Sequence, residues 1–272
     1  MTTFICWAGH DSRRVTSLYF ASDSRISWSR MSHWECGRKL FASRRSNDLF
    51  GYCGEVLFPA LALSSLVQML DAGFMSTEGM NPTDRHNKIL DWIYSNHATG
   101  SNIPREDVKI FHAAREGENM KAKFHVWETS YSKNSKSWVD KKIDCEVSES
   151  RLVLVSGTGA NSYHNSFKNI AYDGQARTSR SYFWALCDSL NSGADPYTGG
   201  APQIVAMYAT GAPLIPGVIF NDERYYLGNR VEAPSDFEKL EWRDELFQRI
   251  DPTTRLPLEG TQRHGRARSR AG

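Results

Sequence analysis

The order of the secondary-structure signals constrains this chain more than any single motif. Residues 3–8 and 18–22 are rich in aromatic and β-branched side chains, and the polar stretch 9–17 between them reads as a hairpin tip. Residues 39–42 and 49–53 form a second pair of short strand candidates around a turn-like 44–48. After Gly54 the period changes: Leu57, Leu61, Leu63, Val67 and Leu70 predict a mostly buried helix that stops near Gly73. Residues 82–96 predict another helix, with Ile89, Trp92 and Ile93 on one face. Strand candidates return at 108–114, 121–128, 137–145 and 152–155. Residues 162–172 and 180–190 look helical, 203–208 and 218–220 look extended, and 236–250 reads as an amphipathic helix on Phe237, Leu240, Leu246 and Phe247. Strands, two helices, strands, two helices and strands again suggest an α+β fold of two sheets packed face to face with helices outside.

Composition narrows the function classes. With 40% hydrophobic residues, 272 residues can bury a sizeable core. A net charge of +2 leaves no global footprint for nucleic acid. Arg263, Arg266, Arg268 and Arg270 do cluster in the tail, which lacks apolar periodicity and reads as a disordered, solubilising segment. The five cysteines contain no C-x-x-C pair and the eight histidines no H-x-x-x-H pattern, so neither a metal site nor a cofactor is expected. Scattered cysteines fit buried free thiols in a reducing compartment. No signal peptide is visible, and the longest apolar stretch, 56–70, is too short to span a bilayer. The expectation is a soluble cytoplasmic protein with no membrane partner.

Four segments carry candidate chemistry. They are Met1-Thr2-Thr3; Phe20-Ala21-Ser22-Asp23-Ser24-Arg25-Ile26-Ser27; Gly37-Arg38-Lys39 with Gly51-Tyr52-Cys53-Gly54; and Ser156-Gly157-Thr158-Gly159 with Asp195-Pro196-Tyr197-Thr198-Gly199-Gly200. Each has an ordinary reading alone. Thr2 is a tolerated second residue, Asp23-Ser24-Arg25 a solvated turn and Lys39 a surface charge. Gly157-Thr158-Gly159 is a helix entry, and 195–199 a β-turn.

Taken in order, these residues resemble the proteasome β-subunit family of N-terminal nucleophile hydrolases, which includes the bacterial HslV peptidase and the Anbu group. The start and the Phe-Ala-Ser-Asp-Ser-Arg run look most like Anbu, and the likeness extends over about residues 2–228. It implies a four-layer αββα sandwich over 1–228, followed by a helical extension over 229–258 and the basic tail 259–272. It implies that Thr2, after loss of Met1, is the nucleophile, with Asp23 and Lys39 as its charged neighbours. Thr158, Asp195 and Thr198 would complete the polar network. Gly54 would hold the oxyanion, and Ser27, Tyr52 and Gly199 would line the substrate site; a bulky Tyr52 would favour small residues before the cut. Threonine stands at 158 and 198 where the family usually has serine. The segments 9–17 and 75–150, and the residues after 228, are longer than compact members need. A homo-oligomer, either a closed ring or an open spiral, acting on peptides or unfolded chains is also implied. An ATP-dependent unfoldase would be a compatible partner that no residue here specifies.

The chemistry can be weighed without the family. A neutral amine accepts the threonine proton and an ammonium does not. An α-amine titrating near ~7.8 is roughly 10–20% neutral at pH 7, and an ordinary lysine only about 0.04%. The terminal amine is therefore the better base and Lys39 the better fixed charge. The expected activity is threonine-type amide hydrolysis through an acyl-enzyme. A small-molecule amidase of the same type and a catalytically silent assembly or interaction protein are the competing readings, and retention of Met1 would favour the silent one.

Overall fold

The computed structural model describes residues 2–11, 13–100, 104–171, 176–232 and 240–261. Met1, Tyr172, residues 236–239 and the four tail arginines lie outside them. The elements run β1 (Phe4–His10), β2 (Val15–Ser22), β3 (Ile26–Ser27), β4 (His33–Trp34), β5 (Leu40–Ser43) and β6 (Asp48–Gly54). Helices α1 (Leu57–Asp71) and α2 (Pro82–Thr99) follow, then β7 (Val108–Glu116), β8 (Lys123–Ser132), β9 (Ser137–Ile143) and β10 (Arg151–Ser156). Helices α3 (Ala160–Ala171) and α4 (Ser179–Ser192) precede β11 (Gln203–Tyr208), β12 (Gly217–Phe220), β13 (Glu223–Tyr226), β14 (Asn229–Arg230) and β15 (Trp242–Arg243).

The helix ends are written locally. Asn81 accepts the amide of Asp84 at 2.9 Å and Pro82 opens α2, the first-turn position that needs no N–H donor. Thr178 and Ser181 form a reciprocal capping box at α4, and Gly193 closes that helix in the left-handed region. Val56 gives α1 no side-chain cap, and the Glu55 carboxylate accepts from Leu57 and Phe58 instead.

Two antiparallel sheets dominate. One has the order β10-β1-β2-β11 and the other is the meander β5-β6-β7-β8-β9. β1 is buried along almost its whole length because it has apolar neighbours on both faces. Phe4, Cys6, Leu18 and Phe20 pack with Leu40, Leu49, Phe111 and Val126 of the meander. Ile5, Trp7 and Tyr19 on the opposite face pack with Tyr163, Tyr182 and Phe183 of α3 and α4. The other face of the meander, with Phe50, Tyr52 and Ile110, meets Leu63, Leu66, Ile89 and Ile93 of α1 and α2. Alternating side-chain direction along each strand separates these cores.

Two expectations change. The first hairpin pairs as far as Gly9 with Ser17 and His10 with Val15, so the strands consume most of the stretch read as an enlarged tip. The amphipathic helix over 236–250, and with it the helical extension over 229–258, does not form in the described residues. Trp242–Arg243 pairs in parallel with β12, and Ile250 makes an isolated bridge to Pro257. The Asp244 carboxylate takes the Gln248 amide at 2.7 Å, and Phe247 has φ 61°, so the local bonds compete with a helical turn. Trp242 and Ile250 bury their apolar surface against Ile219 of β12.

Candidate active site

The end of β2 and the start of β5 bring a carboxylate and an ammonium together inside the protein. Asp23 and Lys39 are both 0% exposed, and Lys39 Nζ donates to Asp23 Oδ1 at 2.8 Å. The same Oδ1 accepts the Thr3 amide at 3.0 Å, and Oδ2 accepts the amides of Gly199 at 3.1 Å and Arg25 at 3.2 Å. Asp23 thus ties the first strand, the turn after β2, β5 and the 195–200 loop to one side chain. Burial pushes the Lys39 ammonium below its ordinary value, and Asp23 opposes that shift.

Gln203 is the residue that sequence reading missed. It is fully buried; its Oε1 accepts the Lys39 amide at 3.1 Å, and its Nε2 donates to the carbonyls of Gly37 at 2.6 Å and Asp23 at 3.2 Å. The amide group matches one acceptor and two donors to these partners, holding the backbone on either side of the ion pair. An apolar spacing search passes over it because it is a polar residue in a strand.

Thr2 and Thr3 are each 1% exposed. The Thr2 carbonyl accepts the Gly159 amide at 3.3 Å. Gly157 has φ +96°, and a Cβ there would overlap the same carbonyl oxygen. A Cβ on Gly159 would overlap Thr3 Oγ1 and come within 3.1 Å of Thr198 Oγ1. The Gly-Thr-Gly run is therefore a closely fitted wall against the first residues.

The late loop is fixed from several sides. The Asp195 carboxylate accepts the Tyr197 amide at 3.0 Å, and its carbonyl accepts the Thr198 amide at 3.3 Å. Ser27 Oγ donates to the Tyr197 carbonyl at 3.1 Å. Arg25 donates to the Pro196 carbonyl at 3.1 Å and pairs with Glu35. Thr198 is buried, and the other Asp195 oxygen, Oδ2, is buried with no hydrogen-bond partner among the described residues.

Not every expected residue joins the cluster. Thr158 is exposed, and its hydroxyl makes no hydrogen bond among the described residues. The serine before that turn, Ser156, is buried and its Oγ lies 3.4 Å from Cys53 Sγ. Tyr52 is fully buried in the core beneath α1, with its hydroxyl on the Arg38 carbonyl at 3.1 Å. Strand alternation sends Tyr52 to the helix side and Cys53 between the sheets, so Tyr52 offers no surface to a substrate. Gly54 has φ +98° and a Cβ there would strike the Asp107 carbonyl, so glycine is required for backbone reasons alone. With Gly157 and Thr158, Gly54 lines a groove of about 460 Å³.

No family model matches the chain, and no curated protein matches it. Among solved structures the chain is similar to an Anbu (Gly-1) mutant from Hyphomicrobium sp. strain MC1. The TM-score is 0.51 at 11% identity, over 88% of this chain and 92% of that one. The chain has a distant proteasome-like fold. At that identity the likeness speaks for the fold and leaves the site to be argued from its own geometry. Among the described residues, no helix is long and apolar enough to cross a membrane, and no group of three acidic, histidine or cysteine side chains could hold a metal ion.

Proposed function

We propose that the chain is a threonine-type amide hydrolase built as a four-layer αββα sandwich, with Thr2 as nucleophile once Met1 is removed. The observation that carries this reading is the buried Asp23–Lys39 pair, hydrogen-bonded through Asp23 to the Thr3 amide next to Thr2. A solvent-excluded ion pair costs several kcal/mol of desolvation per ion, and stability alone seldom warrants it. Beside a terminal amine, a fixed positive charge favours the neutral amine over the ammonium and favours a developing alkoxide. The three separate apolar cores support the four-layer arrangement.

In this mechanism the Thr2 amine takes the hydroxyl proton, directly or through one water. The oxygen attacks an amide carbonyl, and the Gly54 N–H stabilises the oxyanion. The C–N bond breaks, the proton passes to the leaving nitrogen, and an ester joins the acyl group to Thr2. Water then attacks the ester by the reverse route, releasing a carboxylic acid and restoring the hydroxyl. Lys39 stays charged throughout, and Asp23, Gln203 and Gly157 hold Lys39 and Thr2 in place. Thr198 and Asp195 support the wall behind Thr3, and Ser27 and Gly199 hold the loop that borders the site.

The substrates of this reading are peptides or unfolded chains, handled in the cytoplasm by a homo-oligomer, a ring or an open spiral. The β3–β4 hairpin exposes Trp28, Met31 and Trp34, apolar surface available for self-association. An ATP-dependent unfoldase is a partner class that would supply such an assembly.

Intact mass of the purified protein, followed by treatment with an electrophilic peptide that traps terminal threonine, tests the proposal. The expected result is a mass without Met1 and a single adduct that is absent in Thr2→Ala. Retained Met1 with no adduct overturns it and leaves a silent assembly.

A further inference from the structure

Resting on the hydrolase reading above, we propose that the groove beside Gly54 receives an uncharged apolar side chain of a peptide substrate, next to the scissile bond. The groove is lined by residues of the meander strands β6 to β9 and by the end of β10 with the turn after it. One wall is the rim that touches Thr2, formed by Ser156, Gly157 and Thr158. The floor is a row of cross-strand neighbours on one face of the meander: Cys53 opposite Lys109, Lys109 opposite Ser130, and Ser130 opposite Val139. At about 460 Å³ the space falls in the roughly 300–1,000 Å³ range of ligand sites.

The charged groups of this lining and most of its hydroxyls already have partners; the hydroxyls of Ser132 and Thr158 bond to nothing among the described residues. Lys109 Nζ is paired with Glu128 at 2.8 Å, and Ser130 Oγ donates to the same carboxylate at 3.2 Å. Asp107 accepts the Lys133 amide at 2.9 Å. Ser135 and Ser137 bond to each other at 2.7 Å, and Ser156 meets Cys53. A charged substrate side chain would lose its hydration here and find its counter-charges engaged, a cost that two neutral hydroxyls do not offset. Besides those two hydroxyls, what remains open is the aliphatic stem of Lys109 and the side chain of Val139, which is 64% exposed at the sheet edge. An aliphatic or aromatic side chain covering these gains apolar burial and displaces no polar bond. The groove is continuous with Gly54 and the wall against Thr2, so its occupant belongs to the residue beside the carbonyl under attack.

The test uses the full chain carrying Thr2→Ala and fluorescein-labelled N-acetyl hexapeptides identical except for a central Leu, Phe, Ser or Asp. Anisotropy should show the Leu and Phe peptides binding about tenfold or more tighter than the Asp peptide. Adding Val139→Asp, at an exposed position that leaves folding intact, should shrink this preference to below about threefold. Equal binding of the peptides, no binding, or a preference unchanged by Val139→Asp would overturn the inference. The hydrolase reading fails separately, in the absence of a Thr2 adduct on the unmutated chain, and a surviving peptide preference would then leave the groove as a binding site alone.

Discussion

His86 of α2 and His112 of β7 face each other Nδ1 to Nδ1 at 2.8 Å, the buried centre of a chain that runs from buried Asp48 through His112 and His86 to Asp140 at the surface. The outer nitrogens lie 3.2 Å from their carboxylates, Arg85 donates to Asp48 at 3.0 Å, and Thr129 donates to Asp140 at 2.7 Å. The rings stack between Phe50, at 4.7 Å from His112, and Trp127, at 4.3 Å from His86. Two facing nitrogens need one proton between them. With none, two lone pairs meet; with two, N–H meets N–H.

Acid should therefore loosen α2 from the meander. Burial first, and the neighbouring His112 second, lower His86 from 6.5 to about 4. An unfolded chain takes that proton from about pH 6.5 downward while the folded chain refuses it, so stability falls as pH drops through this window and levels off below about 4. The loss approaches ~3 kcal/mol. Urea midpoints measured from pH 7.5 to 4 should fall more shallowly for His86→Asn than for the unmutated chain; parallel curves would refute the role of the pair.

Asp23→Ala should cost about 3–5 kcal/mol, because it strands the Lys39 ammonium in the interior. It also removes the acceptor for three backbone amides. Adding Lys39→Met should return part of that loss. Denaturation of the single and double variants gives the coupling, and strict additivity would mean that the two charges do not interact.

Gly157→Ala places a methyl group against the Thr2 carbonyl in a left-handed conformation. We expect destabilisation of at least about 2 kcal/mol and loss of Thr2 labelling by the electrophilic peptide. Labelling at an undiminished rate would show that the wall does not position Thr2.

Thr158→Ala should change stability by less than about 0.5 kcal/mol and leave labelling nearly intact, since the hydroxyl is exposed and bonds to nothing among the described residues. Thr198→Ala, in a buried position against the Thr3–Gly159 contact, should slow labelling by about tenfold or more. Equal effects at the two positions would contradict this ranking.

Much of the fold was legible in local periodicity. The spacing of Leu57, Leu61, Leu63, Val67 and Leu70 gave α1, and the alternating or continuous apolar runs gave β1, β2, β6, β7 and β11. The end of the chain reads as a helix from the spacing of Phe237, Leu240, Leu246 and Phe247, yet Ile250 packs on Trp242 and Phe247 on Trp7 and Tyr19 without one. Asp23 and Lys39 were legible as candidates because their motifs recur in the order of the family that the chain resembles. Gln203 and the His86–His112 pair were not, since their meaning comes from partners that only folding brings near. The resemblance put Tyr52 at the substrate site, but strand alternation turns it toward the helices instead.

Asp23 accepts amide bonds from residue 3 and from residue 199, and Gln203 completes the same cluster. The partners lie far apart in sequence, Asp23 and Gly199 by 176 residues. The Asp23–Lys39 pair is therefore sealed from water only after distant parts of the chain have met, and its burial reports completion of the fold.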